Sequence, residues 1–153
     1  MLKAADHQLV KANGKKFAIV ASTYNAKYVD SMLKAAEIFL TRAGSKKIRI
    51  VRVPGAYEIP VVAAKLAASK KFDAIICLGV IIRGATTHAQ HIGEAVSQAL
   101  SNIQVQYLTP VIHEVLLLEN EQQANERCLN PQRNRGVEAA GTAIRMAVIM
   151  NEL

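Results

Sequence analysis

The run Ala74-Ile75-Ile76-Cys77-Leu78-Gly79-Val80-Ile81-Ile82 decides the fold. It is uncharged, largely β-branched and apolar at odd and even positions alike, the pattern of a strand covered on both faces in a parallel sheet. It is less than half as long as the roughly 20 residues a membrane-spanning helix needs, so a bilayer span is excluded. Working outward, Phe17 to Ser22 is a second short apolar strand. A helix follows with Val29, Met32, Leu33, Ala36 and Leu40 on one face and Gly44 just past its end. Lys47 to Val53 alternates basic and apolar residues, which marks a strand with one face or edge in water. Pro54-Gly55 turns the chain, and Pro60 fits the first turn of a helix running through Leu66. Downstream, a helix from about Thr87 to Gln104 carries the core stripe Ile92, Ala95, Val96, Ala99, Leu100 and Ile103. A fourth strand follows from Pro110. Asn120 and Gln123 have the spacing that opens a short helix ending near Arg127, and Asn134 caps a final helix with Val137, Ala140, Ile144 and Val148 inward. Alternating strands and helices predict an α/β, three-layer sandwich around a doubly wound, four-stranded parallel sheet with right-handed crossovers.

A sheet of this kind is expected in flavodoxin-like strand order. The 153 residues make one ordinary domain, able to bury roughly two thirds of its unfolded surface. Residues 17–153 are read as that domain. Residues 1–16 have lysines but neither an apolar core nor a small-residue cleavage pattern, and are read as a loose arm rather than a secretory signal. With 51% hydrophobic and 20% charged residues, the chain is too apolar to be disordered. Cys77 and Cys128 are the only thiols, so a cytoplasmic protein with free cysteines is expected. Nineteen Lys and Arg against twelve Asp and Glu give a net charge of +7, which suggests an anionic partner. Aromatics are 5% and Trp is absent, so the stacking platform of single-strand binders is missing and no nucleic acid is expected.

Open parallel sheets bind ligands beyond the carboxyl ends of their strands. There this chain places Thr23-Tyr24-Asn25, Pro54-Gly55-Ala56-Tyr57-Glu58 and Arg83-Gly84-Ala85-Thr86-Thr87-His88. Gly84 to Thr87 enters a helix through small and hydroxyl residues, leaving backbone N–H groups and a positive helix end for a phosphate, unless Thr86 or Thr87 merely caps the helix. His88, in the first turn, is suited to accept or relay a proton, or else is a solvated histidine. Arg127, with Arg133 and Arg135 close by, offers a guanidinium fork for phosphate, or simply complements its helix end. Glu58 either receives ligand hydroxyls or caps the next helix, and Tyr24 either stacks on a planar ligand or closes the sheet. His88, His91 and Glu94 recur every third residue, but Glu94 falls well round the helix from His88, so no metal is expected. Cys77 reads as core, Cys128 lacks a base partner, and G-x-S-x-G, Walker and G-x-G-x-x-G motifs are absent.

Val53-Pro54-Gly55-Ala56-Tyr57-Glu58-Ile59-Pro60, Gly79-Val80-Ile81-Ile82-Arg83-Gly84-Ala85-Thr86-Thr87-His88, Glu126-Arg127 and Asn134-Arg135-Gly136-Val137-Glu138-Ala139-Ala140 together resemble the 6,7-dimethyl-8-ribityllumazine synthase family, in register from about Phe17 onward. The resemblance implies the penultimate step of riboflavin biosynthesis without a cofactor. In it, 5-amino-6-(D-ribitylamino)uracil condenses with 3,4-dihydroxy-2-butanone 4-phosphate, releasing phosphate and water. By the same resemblance Tyr24 stacks on the pyrimidine with Asn25 beside it. Ala56, Tyr57 and Glu58 take the ribityl chain, and the backbone of Val80, Ile81 and Ile82 holds the uracil edge. Ala85, Thr86 and Arg127 bind phosphate, and His88 transfers protons. Arg135 keeps the charge of a family lysine, and Glu138 falls in the same motif.

The family's Phe-Gly pair after the fourth strand is replaced by His113-Glu114, its Gly- and Lys-bearing loop by Cys128 to Arg133, and the aromatic and acidic residues after the histidine by Ala89 and Gln90. His113 can still stack or hydrogen-bond near the pyrimidine, whereas Glu114 repels phosphate unless an arginine pairs with it. The family also implies a homo-oligomer, a pentamer or a sixty-subunit shell, with sites between subunits. Tyr24, Glu58 and His88 then come from one chain and His113 and Arg127 from the next. Riboflavin synthase is a candidate protein partner. The alternative expectation is a non-catalytic shell-forming or ligand-binding relative with a pocket altered by His113-Glu114.

Overall fold

A computed structural model describes residues 10–153. In chain order the elements are β1 (Lys16–Ser22), α1 (Ala26–Arg42), β2 (Lys47–Val53), a 3-10 turn (Ala56–Glu58), α2 (Ile59–Ala68), β3 (Ala74–Ile82), α3 (His88–Tyr107), β4 (Val111–Leu118), α4 (Glu121–Ala124), a π turn (Asn125–Leu129) and α5 (Arg135–Glu152). All four strands are parallel in the order β2-β1-β3-β4, the flavodoxin-like three-layer sandwich expected from the alternation of elements. β1 has β2 on one side and β3 on the other, so the chain reverses its direction of travel across the sheet there. That reversal opens a crevice at the carboxyl ends.

The strands sort their side chains by parity. Phe17, Ile19, Ile76 and Leu78 face α1 and α5, where they meet Met32, Leu40 and Ile144. Val20, Ile75, Cys77 and Val115 face α2 and α3, against Ile59, Ala63, Val96 and Leu100. β2 lies at the sheet edge, which is why its basic residues alternate with half-buried Ile48 and Val51.

Two helix faces differ from the expected stripes. On α5 the fully buried positions are Gly136, Ala139, Ala140, Gly141, Ala143, Ile144 and Ala147, while Val137 and Val148 are half-buried. α5 approaches α1 so closely that a Cβ on Gly136 would sit 2.0 Å from the Met32 carbonyl oxygen. Small residues win the contact face because larger ones would hold the helices apart. On α3, Ala89, Val96, Leu100 and Ile103 are buried, Ile92 and Ala99 are half-buried, and Ala95 is exposed. The first turns of α3 overhang the carboxyl edge of the sheet, so their apolar residues border a cavity instead of the strands.

Both expected asparagine caps form. Asn120 Oδ1 accepts the Gln123 N–H at 2.9 Å, and Asn134 Oδ1 accepts the Gly136 N–H at 2.8 Å. The short helix after β4 does not end at Arg127 in a regular last turn; it widens into the π turn that carries Arg127. Of the loose arm expected over residues 1–16, residues 1–9 lie outside those described. Ala12 is buried and donates its N–H to Ala43 O at 2.8 Å, and the Gly14 N–H reaches Gly44 O at 3.1 Å, which docks the segment against the end of α1.

Candidate active site

The cavity beyond β1, β2 and β3 has a volume of about 880 Å³. One wall is the turn Gly55 to Glu58, the floor is Val80, Ile81 and Ile82, and the other wall is Gly84, Thr86 and the first two turns of α3. Tyr24 borders its mouth. Tyr24 and Tyr57 are 73% and 66% exposed in the single chain, so neither ring is spent on closing the sheet. Asn25 is held in the left-handed region at φ 57 and donates its side-chain N–H to the Val80 carbonyl at 2.7 Å. It therefore ties the end of β1 to the cavity floor rather than lining the cavity.

Glu58 does not cap the helix that follows it, whereas the Thr86 hydroxyl does take the first N–H of α3. Glu58 precedes α2 without making a side-chain cap hydrogen bond. Its carboxylate oxygens instead lie 3.7 Å from where a Cβ on Gly55 would stand. Thr87, the N-cap of α3, also makes no side-chain cap, and Thr86 Oγ1 accepts the His88 N–H at 3.3 Å. Thr86 and His88, at the start of α3, line the same cavity as Glu58.

His113 and Glu114, expected after the fourth strand, lie instead inside the amino-terminal half of β4, paired with Cys77 and Leu78 and away from the carboxyl rim. His113 and Glu114 point to opposite faces of the strand. The His113 ring shares a 2.7 Å hydrogen bond with Ser97 Oγ on α3, and partial burial lowers its pKa from the ordinary histidine value. Glu114 is buried on the α5 side. Burial raises its pKa from 4.5 to about 7, opposed by the Arg135 charge and reinforced by that of Glu138. Arg135 itself pairs with Glu138 at 3.1 Å. Neither His113 nor Arg127 lines the cavity of its own chain.

The sequence matches the 6,7-dimethyl-8-ribityllumazine synthase family over residues 14–151. A 6,7-dimethyl-8-ribityllumazine synthase of Desulfotalea psychrophila is 44% identical over 146 residues, 94% of each chain. One of Syntrophus aciditrophicus is 40% identical over 144 residues, 93% of this chain and 94% of the relative, and one of Clostridium kluyveri is 40% identical over 146 residues, 94% and 95% respectively. The chain belongs to the 6,7-dimethyl-8-ribityllumazine synthase family. Membership makes it a transferase-type enzyme of riboflavin biosynthesis that condenses the ribitylamino-uracil with the butanone phosphate.

Part of the cavity escapes sequence reasoning. His91, Ile92 and Ala95 line it together with His88 because they follow at helical spacing on the same face of α3. That spacing is legible, but Ile92 and Ala95 read equally well as core. Glu94 lies on another flank, where it accepts a 3.0 Å hydrogen bond from Gln90. Both cysteines are free and buried, and burial pushes each thiol up to about 12, far from a thiolate nucleophile at neutral pH. Among the described residues no helix is long and apolar enough to cross a membrane.

Proposed function

We propose that the 880 Å³ cavity is where the condensation occurs, in the cytoplasm, and that a neighbouring copy of the chain completes it. The observation that carries this reading is the charge of the lining. One substrate is a phosphate ester, yet among the described residues no lysine or arginine lines the cavity. A dianion needs more than a helix end and one hydroxyl, and Arg127 is the family-matched guanidinium that stands outside.

Tyr24 stacks on the pyrimidine, the backbone of Val80 to Ile82 takes its edge, and Ala56, Tyr57 and Glu58 hold the ribityl hydroxyls. Ala85 and Thr86 receive the phosphate at the start of α3, with Arg127 reaching it from the neighbouring subunit beside that subunit's His113. Arg135 and Glu138 hold each other and brace the start of α5. The arrangement favours positioning over acid–base chemistry. Two substrates held in attacking geometry gain about 7–11 kcal/mol, whereas one well-placed imidazole contributes roughly 10²–10⁴-fold. A ring of five copies gives every cavity a neighbour.

Co-expression of His88→Ala with Arg127→Ala tests both the site and its sharing. Each variant alone forms fluorescent lumazine slowly. In mixed oligomers about a quarter of the interfaces combine an intact His88 with an intact Arg127, and activity returns to about that share of the wild type. Mixed oligomers no faster than the parents, or a folded monomer as the main species in sedimentation, would overturn the shared site.

A further inference from the structure

α3 begins at His88, and His88, His91, Ile92 and Ala95 fall on the face that borders the cavity. His91 stands one turn further along, its Cα displaced by about 4.5 Å along the helix axis from that of His88. His88 is beside Thr86, whose hydroxyl accepts the His88 N–H, and α3 also contacts the 3-10 turn that bears Ala56, Tyr57 and Glu58. His91 is exposed and lines the cavity together with the small residues Ala89 and Ala95. The nearest carboxylate on its own helix, Glu94, is engaged by Gln90 on another flank. Besides the guanidinium assigned to the neighbouring chain, the titratable groups that line the cavity with His91 among the described residues are His88, Glu58, Tyr24 and Tyr57.

Resting on the proposed site, we infer that His91 is a second proton carrier of the condensation, serving the carbon–nitrogen bond while His88 serves the phosphate-bearing carbons. When the uracil amine bonds to the ketone carbon, the nitrogen gives up two protons and the ketone oxygen takes up two and departs as water. One imidazole that alternately accepts from nitrogen and donates to oxygen carries both and ends unchanged. In the following elimination a proton leaves the carbon next to the imine, its electron pair forms the carbon–carbon double bond, and the carbon–oxygen bond to phosphate breaks. His88 is placed for that step.

The test compares wild type, His91→Gln, His88→Gln and the double variant by stopped-flow lumazine fluorescence between about pH 5 and 8, the range in which imidazole titrates. We expect His91→Gln to lower kcat by about 10-fold or more with KM little changed, and added imidazole to restore part of the rate. His88→Gln should retain a pH dependence that the double variant lacks. A His91→Gln enzyme with wild-type kcat and pH profile overturns the inference while leaving the site intact. A wild-type protein that makes no lumazine from the two substrates removes the reading on which both rest.

Discussion

Beyond β3 the residues that succeed the strand gather into one cavity inside a single chain, whereas those of β4 and of the segment after it disperse. His113 turns to Ser97, Glu114 to the α5 side, and Arg127 sits on a π turn outside the cavity. The difference lies in the topology. β1 and β3 flank the point where the chain changes direction across the sheet, so the turns after them converge without help from a partner. β4 is an edge strand, and the segment after it packs against α1, where the Cys128 carbonyl accepts the Ser31 hydroxyl at 2.6 Å, instead of turning to the cavity.

The largest effect expected on the β3 side comes from His88→Ala, a fall in kcat of roughly 10²–10⁴-fold that leaves a slow, measurable enzyme because the positioning groups remain. Complete loss of turnover with unchanged substrate binding would show that proton transfer outranks positioning. On the β4 side the support is packing. Gly136→Ala drives a methyl into the Met32 carbonyl and should destabilise by on the order of 3 kcal/mol in urea unfolding. A wild-type midpoint would mean that α1 and α5 slide apart freely.

Glu114→Gln tests the buried carboxyl. The folded protein keeps a proton that the unfolded chain releases between about pH 4.5 and 7, so the stability Glu114 lends is complete below 4.5 and lost as pH rises through 7. The glutamine variant should therefore be the more stable at pH 8, by on the order of 2 kcal/mol, with a flatter profile across that window. Equal slopes for the two proteins would place the charge of Glu114 in a solvated or fully paired setting. The smallest effect belongs to His113→Phe. A histidine held below its ordinary pKa stabilises the fold above about pH 6.5 and loses that contribution as pH falls. The phenylalanine variant should lack this acid-side loss, a small change in chemical unfolding at pH 5 because solvent reaches the His113 ring in the single chain. Adjacent residues thus give slopes of opposite sign, because one carboxyl and one imidazole are both disfavoured as ions by burial.

Much of the fold was legible because its signals are local. The apolar run of β3, the basic alternation of β2 and the asparagine caps at 120 and 134 each arise from a few consecutive side chains. The π turn was not, since nothing in Asn125 to Leu129 distinguishes it from an ordinary last turn. One member of the α3 stripe, Ala95, departs from its expected place for a similar reason. An alanine reads the same whether it packs on a strand or borders a cavity, as Ala95 does. The cavity residues Tyr57, Glu58, Thr86 and His88 are legible because each comes soon after a strand, whereas the spacing of His91 from His88 and Glu94 points only to a metal ligand.

The order of strands and helices and the residues at each strand's end are set locally, because side-chain periodicity and capping act over a few positions. It took the folded molecule to show that α5 meets α1 through glycine and alanine, that Glu114 is buried away from the cavity, and that among the described residues no lysine or arginine lines the cavity. Those outcomes depend on which surfaces far apart in the chain approach each other. Close packing and desolvation set them, and neither is written in any short stretch of residues.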